Sequence, residues 1–148
     1  MAVDLTSVNY ILLKADGSVL AESMDYYIQQ GNIGDTIFFG GLAAQNTDVG
    51  IAVCTLPNGE QNTIAGVWDT CVYKINGVDT TIGGFKFVLG SAQTNYEGGL
   101  MMALAIFRSS TRLVSYPLYV VINETGLMSD TNTGITVAEI NTYLKQVQ

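Results

Sequence analysis

The sequence predicts an all-β domain, a sandwich or a barrel, on three observations. Apolar runs of strand length recur roughly every ten residues, a spacing typical of sandwiches and barrels rather than of a parallel α/β sheet. The breaks between them include Asp16-Gly17, Asn58-Gly59, Asn76-Gly77 and Gly83-Gly84, pairs that tolerate the positive φ of tight turns. The third observation is the stretch 100–122, which folds back on itself. Leu-Met-Met-Ala-Leu-Ala-Ile-Phe at 100–107 leads to a polar tip, Arg108-Ser109-Ser110-Thr111-Arg112, and an apolar run returns over 113–122. The first run is ambiguous by composition, since Leu, Met and Ala favour helix, but its length fits a strand better. The return run is rich in Val, Ile and Tyr, which favour strands. The chain is therefore expected to be organised around an antiparallel pair whose first strand is buried on both faces. Pro117 cannot donate a ladder hydrogen bond, so it is expected at a strand start, a bulge or an edge.

The other elements follow in order. Residues 1–7 read as an arm or a first edge strand. Residues 10–14 and 19–21 flank Asp16-Gly17 and predict a hairpin. A strand at 26–30, a turn at 31–35 and a strand at 36–39 come next, then a Gly-, Ala- and Asn-rich loop to Asp48. The strand 49–56 ends at Pro57-Asn58-Gly59-Glu60, where Pro presets φ and Asn-Gly supplies the left-handed residue. The strand 67–75 carries the single tryptophan, Trp68. Strands at 78–82 and 85–89 precede a polar segment at 93–97. The tail changes character. Thr136-Val137-Ala138-Glu139 is a capping box, and Val137, Ile140, Leu144 and Val147 follow at alternating three and four spacing. This predicts a short α-helix over 136–147 with one apolar stripe, laid either on its own domain or on another subunit. The whole chain reads as a single domain, 1–148, with the sheets in 8–123.

Composition narrows the function. The chain is 48% hydrophobic but only 13% charged, about half the usual charged fraction, which suits either a surface packed against other proteins or a small, polar-neutral domain rich in Thr, Asn, Gln and Gly. Six basic residues against thirteen acidic ones give a net charge of −7, so neither nucleic acid nor an anionic membrane surface is an expected partner. No run reaches the roughly 18 apolar residues of a membrane span, and the N-terminus has no signal-peptide pattern. The protein is expected to fold in a cytoplasm, where Cys54 and Cys71 would stay as free buried thiols. They are equidistant from Asn62-Thr63, so a hairpin closing there would instead set the sulfurs face to face.

Catalytic signals are sparse. Histidine is absent, which removes the commonest general base and zinc ligand. There is no nucleophile elbow and no phosphate-binding loop. The segment 130–134 resembles the start of a calcium loop but has Ile135 and Asn141 where that loop needs Gly and Glu. Catalysis, a cofactor and a metal are not expected. Tyr26, Tyr27 and Trp68 offer core packing, an edge contact or an aromatic platform for a sugar.

A strand running into Gly31-Asn32-Ile33-Gly34-Asp35-Thr36, a strand closing in Pro57-Asn58-Gly59-Glu60, a Gly-led apolar strand from Gly99, and a closing strand at 116–122 come in that order. With the helix that follows, this resembles the N-terminal domain of bacteriophage baseplate upper proteins over residues 26–122. The hairpin at Asp16-Gly17 lies outside the match. The resemblance implies an immunoglobulin-like antiparallel β-sandwich in a non-enzymatic virion structural protein of the baseplate, tail, head fibre or capsid decoration. It further implies assembly in the bacterial host cytoplasm, self-association as a dimer or trimer, and docking to other virion proteins. The stripe Val137, Ile140, Leu144 and Val147 is the candidate interface. A carbohydrate-binding host-adhesion module is the alternative.

Overall fold

The structure is a computed structural model that describes residues 2–24 and 26–124. The predicted helix at 136–147 and its stripe lie outside the described residues. The strands are β1 (Asn9–Leu13), β2 (Val19–Ser23), β3 (Tyr27–Gln29), β4 (Thr36–Gly41), β5 (Val49–Thr55), β6 (Gln61–Ala65), β7 (Val67–Ile75), β8 (Val78–Val88), β9 (Gly98–Arg108) and β10 (Thr111–Asn123). One helical turn, α1 (Ser91–Thr94), interrupts them. They form two five-stranded sheets, ordered β2-β1-β4-β8-β7 (the first sheet) and β3-β10-β9-β5-β6 (the second). The all-β expectation holds.

The purely antiparallel expectation does not. β1 pairs with β4 in parallel, and β3 pairs with β10 in parallel. An antiparallel reading assumes that consecutive strands pair, but the turn at 30–35 carries the chain from one sheet to the other. β3 and β4 therefore find partners far away in sequence, and such partners can run in either direction.

Local turn chemistry works as read. Gly17, Gly59 and Gly77 all have positive φ, and Asp16 Oδ1 accepts from the Ser18 amide at 2.9 Å and its hydroxyl at 2.7 Å. Gly83-Gly84 is different: β8 runs straight through it, joining the two strands expected there. A Cβ on Gly83 would stand 2.2 Å from the Trp68 ring, and one on Gly84 would stand 2.3 Å from the Phe39 carbonyl oxygen. These glycines permit close packing rather than a turn. Trp68 meets Phe85 edge to face, with centroids 5.5 Å apart.

One core lies between the sheets. Ile11, Leu13, Ile37, Phe39, Phe85 and Phe87 from the first sheet meet Ala52, Cys54, Leu100, Met102, Leu104, Ile106, Leu118 and Val120 from the second. A second apolar cluster, Leu12, Phe38, Cys71 and Ile82, lies on the outer face of the first sheet. Val3, Leu5 and Val8 of the N-terminal arm pack onto it, and the Val3 amide donates to the Thr70 carbonyl at 2.7 Å. The first residues are thus an arm, and the edge strand is β2.

The cysteines are free and buried. Cys54 faces the core and Cys71 the outer cluster. The segment between them does not close a hairpin that joins their strands: β6 turns back on β5, and the chain passes Gly66 into the other sheet. Burial pushes both thiols up to about 11.

A candidate docking face on the second sheet

The strand pair β9–β10 forms in the expected register, with Ala103 opposite Pro117 and Met101 opposite Tyr119. Pro117 sits where β3, which covers only 121–123, does not reach. β10 is therefore locally an edge there, as a proline requires.

The burial of β9 departs from expectation. Leu100, Met102, Leu104 and Ile106 point into the core at 2% exposure or less, but the alternate residues do not. Met101 is 57% exposed, and Ala103 is exposed as well. A strand that is apolar on both sides is therefore covered on one side only, among the described residues. Its neighbours continue the pattern. Strand alternation and the registers put Ile51 and Val53 of β5, Thr63 and Ala65 of β6, and Ser115, Pro117, Tyr119 and Val121 of β10 on the same outer face. Tyr27 of β3 joins them beside Val121, 63% exposed. Arg112 is the one charged residue among these outward strand positions, in a chain with thirteen acids.

The face has relief. A shallow groove of about 410 Å³ runs over Ala103 and Ala105, bordered by Ile51 and Val53 on one side and by Ser115 and Pro117 on the other. Met101 and Tyr119 stand at one end, both more than half exposed, with the hydroxyl end of Tyr119 lying over Gly99. The outer face of the first sheet, by contrast, is covered by the arm. A large uncovered apolar surface on a folded domain ordinarily marks an interaction site.

Polar anchors frame this face. Arg108, at the end of β9, donates from Nε and Nη2 to Asp48 at 2.8 and 3.0 Å and from Nη2 to the Ala43 carbonyl at 2.9 Å. The Asp48 side chain has no solvent exposure and also accepts from the Gln45 amide at 2.8 Å. The hydrogen bonds from Arg108 hold its carboxyl below the usual range. On the other side, Glu22 of β2 accepts from the hydroxyls of Tyr26 and of Tyr116, the latter at 3.1 Å, tying the two sheets together. The bond to Glu22 pushes the Tyr26 phenol up to about 12. At the end of the molecule where β3 and β8 stop, Gln93 Nε2 donates to Asn62 at 3.0 Å and Thr94 to the Asn32 carbonyl at 2.7 Å.

The three aromatics that the sequence offers either to packing or to a sugar platform are not brought together. Trp68 packs on Phe85 in edge strand β7 of the first sheet, and Tyr26 packs against the core beside Glu22. Tyr27 is at the opposite edge of the second sheet. Val137, Ile140, Leu144 and Val147 lie outside the described residues. Among the described residues no cluster of three or more Cys, Asp or Glu could hold a metal ion, and no helix is long and apolar enough to cross a membrane. The face was missed in the sequence because an apolar run without polar alternation reads as buried on both sides. No family model matches the chain, and no curated protein matches it.

Proposed function

We propose that this is a non-enzymatic phage virion structural protein, acting by self-association and by docking to other virion proteins. The observation that carries this is the outer side of β9, where Met101 and Ala103 continue an unbroken apolar run into solvent. Burying such a surface against a neighbour is the mechanism that the geometry supports. The low charge of the chain and the resemblance over 26–122 point the same way. In this reading the two facing sheets are an immunoglobulin-like sandwich, and the stripe Val137, Ile140, Leu144 and Val147 is a second contact. A baseplate, tail, head-fibre or capsid-decoration position fits equally well.

Light scattering on the full chain, on a chain ending at Ile135 and on Leu144→Asp tests this. A discrete dimer or trimer of the full chain supports it, and its loss in the other two assigns part of the contact to the stripe. A monomer for all three up to high concentration contradicts it. Exposure of Tyr27 favours a second reading, a carbohydrate-binding host-adhesion module. A flat tyrosine fluorescence titration with intact host wall would remove that reading.

A further inference from the structure

We propose that the occupant of the second sheet's outer face is the same face of a second copy, related by a two-fold axis lying in the interface at right angles to β9 at the level of Ala103. This rests on the self-association reading above and names its geometry. Shape favours this pairing. Three levels cross the face. Met101 is opposite Tyr119 and Thr55, Ala103 is opposite Pro117 and Val53, and Ala105 is opposite Ser115 and Ile51. On β9 and β10 the first level is large and the third is small.

An isologous contact requires that if one residue meets another, the second meets the first. An axis across the strands at Ala103 sets Met101 of each copy over Ala105 of the other, and Tyr119 over Ser115. Met101 then fills the groove over Ala103 and Ala105. An axis along the strands would set Met101 on Met101 and leave Ala105 facing Ala105, a collision beside a void that close packing disfavours.

Charge permits the pairing. Arg112 is the one charged side chain among the outward positions and lines the groove at its Phe107 end, where the pairing sets it over Val121 of the other copy rather than over a like charge. Area permits it as well. Four strands spaced about 4.8 Å, with eight residues at about 3.3 Å each, cover ~500 Å² per copy. Two copies bury ~1,000 Å², the threshold of a specific interface.

The test uses the full chain. Light scattering should give a dimer. Met101→Glu and, independently, Tyr119→Glu should weaken its dissociation constant by more than about 30-fold, with the far-ultraviolet circular dichroism unchanged. Both side chains are more than half exposed, so folding should survive. Facing sheets lie about 10 Å apart, so Ala103→Cys should be joined to its copy by a short bismaleimide, whereas Val72→Cys on the first sheet should not. A trimer, a dimer indifferent to Met101→Glu, or a dimer in which Ala103→Cys fails to crosslink overturns the proposal. If that indifferent dimer falls apart on Leu144→Asp, self-association stands and this contact fails. A monomer throughout removes both.

Discussion

Asp48 is a carboxylate without solvent exposure whose charge Arg108 balances through two hydrogen bonds. Arg108→Ala would remove the ion-pair partner of a buried carboxylate, which should destabilise the fold. Urea unfolding should show it as a lower midpoint with an unchanged slope. Because Asp48 titrates below its ordinary value of 3.8, its contribution is complete above that value and fades as the pH falls through the depressed one. Asp48→Asn should therefore flatten the acid limb of the stability curve. Tyr26 works in the opposite direction. Its phenol is raised to about 12 by the bond to Glu22, so its contribution is present below the ordinary value of 10 and is lost as the pH rises through about 12. Absorbance at the phenolate band should show a late-titrating tyrosine that returns toward 10 in Glu22→Gln. Gly84 and Gly99 make a contrasting pair. A methyl at Gly84 meets the Phe39 backbone, whereas one at Gly99 meets the hydroxyl end of exposed Tyr119. Gly84→Ala should cost about 1–3 kcal/mol, the range for an overpacked core, and Gly99→Ala much less, since Tyr119 can swing aside. The turn residues Asp16-Gly17, Pro57-Asn58-Gly59 and Asn76-Gly77 were legible in the sequence because their chemistry is local. Gly83-Gly84 was misread because its cause, the Trp68 ring and the Phe39 backbone, lies on other strands.

Elements repeat this division. Long apolar strands such as β5, β7 and β9 were legible, and so was the β1–β2 hairpin. β6 was not, because Gln-Asn-Thr-Ile-Ala carries little apolar signal and becomes a strand by pairing with β5. The parallel partners of β3 and β4 were illegible because pairing across a sheet-to-sheet crossing leaves no local mark. The sequence of the first residues fits either an arm or an edge strand, and the packing decides for an arm. Val3, Leu5 and Val8 help to cover Leu12, Phe38, Cys71 and Ile82, so the outer face of the first sheet depends on them. Deleting residues 2–8 should uncover Cys71 while leaving Cys54 within the core. A thiol reagent under native conditions should then label Cys71 many-fold faster than in the full chain and leave Cys54 unchanged. Equal labelling of both thiols would mean that the whole domain had loosened, and unchanged Cys71 labelling would mean that the arm is not its cover.

At the scale of the molecule, the two sheets share one core but differ outside it. The first has its arm, and the second presents Met101, Tyr119, Val53 and Tyr27 to solvent. The sequence showed that this region is apolar but not which side of β9 the fold would cover, since period-two burial cannot be read from a run without polar residues. That uncovered side is what joins fold to function in this account. Met101 and Met102 make it measurable, because they are adjacent, 57% and 2% exposed, and chemically identical. Methionine oxidation by peroxide follows exposure. The decisive measurement is the oxidation rate of each, resolved by peptide mass spectrometry, across a range of protein concentration. If the face is an assembly surface, Met101 oxidises quickly in dilute protein and slows many-fold as concentration rises, while Met102 stays slow throughout. If Met101 oxidises at one fast rate at every concentration, the face remains in solvent, and the account of this protein as one that works by burying it is wrong.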